Sequence, residues 1–192
     1  MKKKPEQPII EFRTQSEWRD WLLDNHDNSD GIWMRLYKKK SGIPSIEIGQ
    51  ALDEALCFGW IDGQRKTYDE QSYLQKYTPR RKRSIWSKIN TGKIEALSKE
   101  GKMHPAGLLE VEKAKADGRW AKAYDSPANM QVPDDFVEAI SKFPEAMDFY
   151  NSLNKTNRYA IAFRLQTAKK QETRTKRMAA MIEMMKNGEK FH

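Results

Sequence analysis

In the stretch YTPRRKRSIWSKIN, residues 77–90, four consecutive basic side chains, Arg80, Arg81, Lys82 and Arg83, precede Trp86 and a helix-start signal at Ser84 or Ser87. The chemistry this spacing suits is anion binding. A helix start presents unpaired backbone N–H groups with about half a positive charge. Guanidinium groups at its mouth add donors shaped for carboxylate or phosphate. The plain structural alternative is four cations splayed into water around a turn. Nearby, CFGWIDGQ places Trp60 and Asp62 between glycines where a helix gives way to a strand. Asp62 there suits either ligand binding, the orienting of Arg80 or Arg81, or a structural salt bridge.

Other chemistry is less well supported. Asp53 and Glu54 are neighbours on one helix and point about 100° apart, which argues against a joint acid–base pair. Cys57 shares a face with Glu54, but as a nucleophile it needs a base, and the candidates His26 and His104 are distant in sequence. A small buried cysteine is the simpler reading. Three histidines and one cysteine show no metal-ligand spacing, and there is no phosphate-binding glycine loop or dinucleotide fingerprint. We therefore expect no metal and no cofactor. The C-terminal KKQETRTKRMAAMIEMMKNGEK is basic on one face and apolar on the other, which permits nucleic-acid or acidic-partner binding. Its methionines 178, 181, 184 and 185 share a helical face and read as core.

The elements that must position these residues follow from periodicity. Residues 1–10 read as a flexible arm and SEWRDWLLDNH as a helix capped by Ser16. GIWMRLYKK alternates as a strand. SGIPSIEIGQALDEALCFG is a helix with Ile48, Ala51, Leu52, Ala55 and Leu56 on one face, closed by Gly59. Residues 60–68 and 72–78 form a hairpin turning near DEQS, with Pro79 ending the second strand. Beyond Ser87 the chain is helical: SKINTGKIEALSKEG, then PAGLLEVEKAKADG with proline inside its start and Gly118 past its end. DSPANMQVP, residues 125–133, reads as a linker, followed by three or four helices. The expected fold is α+β: a small antiparallel sheet with helices on one face within residues 11–124, and a helical region over 134–192.

Composition sets the outer bounds. The 192 residues carry a net charge of +8, with a pI near 9.4 and a mean hydropathy of −0.90. That balance permits an anionic small molecule, a nucleic acid or an anionic lipid surface as partner. Six Trp, seven Tyr and seven Phe argue against disorder. One cysteine forbids an internal disulfide and suggests a reducing compartment. With no export-type segment and no run of about 20 apolar residues, the chain is expected in the cytoplasm. Oligomeric state is not legible.

The blocks ALDEALCFGWIDG, DEQSYLQKYTPRRKRSIWSKIN, MHPAGL and AKADGRW, with the ending QETRTKRMAAMIEMMKNGEK, resemble the YdeI/OmpD-associated proteins, also called bacteriocin-protection proteins. The resemblance runs from about residue 14 to 190. It implies a stress or resistance role but brings no agreed catalytic residues. Positions that fit its blocks are Glu54, Trp60, Asp62, Gly63, Arg80, Arg81, Ser84, Trp86, Ser87 and Asn90; Lys82 and Arg83 fall at variable positions and read as solvated. The leading expectation is a non-catalytic protein holding an anionic ligand among these residues. The alternatives are nucleic-acid binding through the basic surface, or an enzyme using Asp62 or Glu54 as general base.

Overall fold

A computed structural model describes residues 7–191. The chain divides into two compact units, Met1–Trp86 with Asn90–Lys122, and Ser87–Ile89 with Ala123–His192. Strands lie in the first unit and most helices in the C-terminal part, an α+β protein as the patterning predicts.

The first unit is built on a four-stranded sheet of order β1-β2-β4-β3, with β1 Ile9–Glu11, β2 Ile32–Tyr37, β3 Trp60–Thr67 and β4 Ser72–Pro79. The hairpin β3–β4 and the β2–β4 pair are antiparallel, while β1 runs parallel to β2, so the sheet is mixed. Of the arm expected over residues 1–10, residues 1–6 lie outside the described residues, and Ile9 and Ile10 pair with Trp33 and Met34. Two β-branched residues in a row satisfied the strand pattern, but three residues are too few to register as a period.

Alternation divides the sheet into two faces. Ile32, Met34 and Leu36 point inward and are fully buried with Tyr77 beneath α1 (Gln15–Asn25) and α2 (Ile48–Cys57). The core there is aromatic: Trp18 lies 5.6 Å from Tyr77, centroid to centroid, and edge-on to Trp60 at 6.2 Å. Thr14, rather than Ser16, caps α1 by accepting the Glu17 N–H. Gly59, at φ +75°, turns the chain from α2 into β3.

This unit also holds α4 (Pro105–Ala116) and, from Asn90 onward, α3 (Lys88–Lys99). The N-terminal turn of α4 lies so close to the end of α2 that a Cβ on Gly107 would come within 2.1 Å of the Cys57 carbonyl oxygen. Gly107 is what lets the two backbones touch. The second unit packs α5 (Asp134–Ile140), α6 (Pro144–Ser152), α7 (Lys155–Gln166) and α8 (Gln171–Lys186) around Phe136, Ile140, Tyr150, Ile161, Leu165, Met181 and Met185. The methionine stripe is core: Met181 and Met185 are buried, with Met178 and Met184 packed against them. Among the described residues, no helix is long and apolar enough to cross a membrane.

Candidate anion-binding site

Arg80 leaves the end of β4 with its backbone N–H donating to the Gly59 carbonyl at 3.0 Å, which ties the exit of the hairpin to its entry. Its side chain folds inward and is only 7% exposed. The guanidinium carbon lies 3.4 Å from the centroid of Trp86, a face-on stack, and Nη1 donates to the Ile85 carbonyl at 3.2 Å. Parallel stacking on a ring suits the planar guanidinium better than a compact ammonium. Trp86 packs in turn on Trp120 at 5.1 Å.

Beside this stack is a cavity of about 600 Å³ lined by Arg80, Lys82, Glu110, Lys113, Asp117 and Arg119 with Ala116. Three segments build it: the β4 exit, the outer face of α4, and the turn after α4. The contact of Gly107 with Cys57 sets the height of α4, and hence of Glu110 and Lys113. Arg119, with its side chain 12% exposed, is fixed from two sides. Its Nε donates to both Asp117 carboxylate oxygens, and its Nη1 donates to the Ser84 carbonyl at 3.0 Å. Lys113 pairs with Glu110 at 2.7 Å. Four cations thus face two carboxylates.

A helix C-terminus repels anions through its open carbonyls, but three of the last four of α4 are taken up by backbone donors. The N–H groups of Asp117, Gly118 and Trp120 donate to Lys113, Lys115 and Ala114. What remains is a hollow with a formal excess of positive charge, one of whose wall residues, Arg80, is held in place by its stack on Trp86.

The residues expected at the site are distributed as follows. Arg80 and Trp86 are in contact. Ser84 closes a turn, its Oγ accepting the Arg81 N–H at 2.9 Å, and Arg81 itself is exposed and does not line the cavity. Asp62 is exposed over its surface as a whole, while protein around its carboxyl group desolvates it and raises its pKa, opposed in part by Arg80 and Arg65. Glu54 is buried and committed to α1, accepting from Gln15 and from Arg19, each at 2.6 Å. Trp60 is core, its Nε1 donating to the His26 carbonyl at 3.1 Å. Ser87 belongs to the second unit, where it bridges to Tyr124, and Asn90 is half-buried in the first turn of α3. Lys82, read from the sequence as solvated, is exposed but stands at the cavity wall.

Sequence reasoning missed Glu110, Lys113, Asp117 and Arg119. The signal available was the block AKADGRW: an Asp-Gly turn followed by Arg119 and Trp120, the partners of Ser84 and Trp86. Cys57 is buried, and burial foremost pushes its thiol up to about 11, which suits a structural residue and not a nucleophile. Among the described residues no group of His, Cys, Asp and Glu is placed to hold a metal ion.

Residues 10–110, just over half of the chain, match the family described as Domain of unknown function (DUF8412). Residues 129–188 match the family described as Bacteriocin-protection, YdeI or OmpD-Associated. The chain belongs to the first of these families, and its C-terminal part is similar to the second. The GWIDG and TPRRKRSIW blocks, which resemble YdeI/OmpD-associated proteins, fall within the DUF8412 stretch, and the YdeI/OmpD-associated match covers α5 to α8. Arg80, Lys82 and Glu110 lie inside the first match; Lys113, Asp117 and Arg119 lie between the two. No curated protein and no solved structure matches the chain.

Proposed function

We propose that this protein is a non-catalytic binding protein that takes an anionic small molecule, phosphate- or carboxylate-bearing, in the cavity of Arg80, Lys82, Lys113 and Arg119. The observation that carries the reading is the charge of the lining, four cations against two carboxylates around a hollow of about 600 Å³. That volume lies within the range of small-molecule sites. Arg80 and Arg119 supply pre-oriented guanidinium groups, one stacked on Trp86 and the other clamped between Asp117 and Ser84. Pre-orientation lowers the entropy lost on binding. Lys82 and Lys113 stand at the rim and confer attraction for the incoming anion. A role in resistance is supported by the similarity of residues 129–188 to the bacteriocin-protection family.

The test is a thermal-shift and calorimetry screen with inorganic phosphate, pyrophosphate and citrate, each matched in ionic strength by chloride. At least one of these should stabilise the protein beyond the chloride control. Lys82→Glu, an exposed change that leaves the fold intact, should weaken that ligand about tenfold by placing a carboxylate at the rim. Equal affinity in wild type and Lys82→Glu, or no stabilisation by any anion, removes the reading.

A further inference from the structure

The outward face of the sheet, opposite α1 and α2, holds aromatic and cationic side chains in rows set by the strand register. Ile9, Trp33 and Lys76 stand side by side across β1, β2 and β4. Glu11, Arg35, Leu74 and Lys66 form the next row, across all four strands. The ammonium of Lys66 lies 4.4 Å, and that of Lys76 5.4 Å, from the Trp33 ring centroid. Arg35 is held between Tyr37 and Tyr68, at 4.6 and 4.9 Å, and is neutralised by Glu11 and Asp69.

The lysine stems account for part of this arrangement: they cover Trp33 and Leu74, which is 1% exposed. Neutral side chains would cover them as well. What packing does not explain is the charge, because neither Lys66 nor Lys76 forms an ion pair among the described residues. Tyr68, at the hairpin end, is 49% exposed, and Ile9 is comparably open. Two uncompensated ammonium groups over one indole, flanked by an open phenol ring, make a surface that alternates positive charge with flat apolar area.

We infer that this sheet face binds single-stranded nucleic acid, with Lys66 and Lys76, held over the buried Trp33, taking phosphates and Tyr68 offering its ring face to a base. Charge complementarity favours a polyanion, for the chain as a whole carries +8. Stacking is sequence-tolerant because every base has a π-face. A single strand is the fitting form, since a duplex has no open base faces to lay on a sheet. This site is separate from the cavity at Arg80 and does not depend on it.

The experiment uses the full chain and a dye-labelled 20-nucleotide oligothymidylate, followed by fluorescence anisotropy across salt concentrations. Affinity should fall linearly on a log–log salt plot, each phosphate-bound lysine adding about 0.7 to the slope. Lys66→Gln and Lys76→Gln should each lower that slope by about 0.7. Tyr68→Leu should weaken binding about tenfold while leaving the slope unchanged. Lys82→Glu, at the other site, should leave oligonucleotide binding within about twofold of wild type. The inference is overturned if the Lys66→Gln/Lys76→Gln double variant binds as wild type does. It is equally overturned if Tyr68→Leu has no effect, or if polyphosphate or anionic phosphatidylserine vesicles compete as strongly as the oligonucleotide.

Discussion

Glu54 draws Arg19 and Gln15 of α1 onto α2, and Arg19 also donates to the Lys102 carbonyl at 3.1 Å. Removing the carboxylate strands a half-buried guanidinium, so Glu54→Ala should lower unfolding free energy by about 2 kcal/mol, less than a fully buried pair because Arg19 retains solvent. Urea unfolding measures it, and a change within experimental error would show the pair to be ornamental. His104 offers a second residue-scale test. Its Nδ1 accepts the Ala106 N–H at 3.3 Å, its ring stacks on Phe58 at 4.6 Å, and the His26 ring lies 4.8 Å away. Desolvation first, then His26 and Arg19, hold its pKa below the ordinary histidine value. The unfolded chain therefore binds the proton at higher pH than the folded one. Stability from this group is complete above about pH 6.5 and is lost as pH falls below it toward the folded pKa. His104→Asn keeps a capping acceptor without the titration, and should flatten urea midpoints between pH 7 and 5. Identical pH slopes for the two proteins would contradict this.

At the scale of elements, two glycines on neighbouring helices make opposite predictions. Gly107→Ala forces a methyl into the Cys57 carbonyl and should destabilise by about 2 kcal/mol or more as α4 is pushed off α2. Gly92 lies within α3 with open space where its Cβ would be, so Gly92→Ala should stabilise by about 0.8 kcal/mol through helix propensity alone. Denaturant midpoints read both. The displacement of α4 should also weaken anion binding at Lys113. The sequence announced α4 by Pro105 and Gly118, and announced the hairpin by the DEQS turn and by Pro79 at its end. It did not announce β1, whose partner is a strand more than 20 residues away, nor the close approach at Gly107, which is a property of two helices and not of either one.

For the whole molecule, the two units rest on separate cores of different character. The first is dominated by Trp18, Trp60 and Tyr77 between sheet and helices, the second by aliphatic, methionine and phenyl side chains between helices. Met185→Ala, at the centre of the second core, should cost about 3 kcal/mol. Hydrogen exchange should report it as lost protection in α5 to α8. Unchanged protection there would mean that Met185 is not the packed residue its burial implies.

Read alone, the sequence determined the class of fold, the hairpin, the helix boundaries marked by proline and glycine, the methionine core and the excess of positive charge. These are local or additive properties: periodicity, turn chemistry and a sum of charges. Tertiary structure decided which cations meet. Arg80 and Arg81 are adjacent in the chain, yet one stacks on Trp86 and the other faces water, because the direction of each side chain at the β4 exit is fixed by what packs there. Arg119, nearly 40 residues on, reaches the same hollow through the Ser84 carbonyl, and Lys66 and Lys76 meet over Trp33 through strand register. A charge count is carried by composition, but the concavity that gives it affinity arises only when distant segments pack.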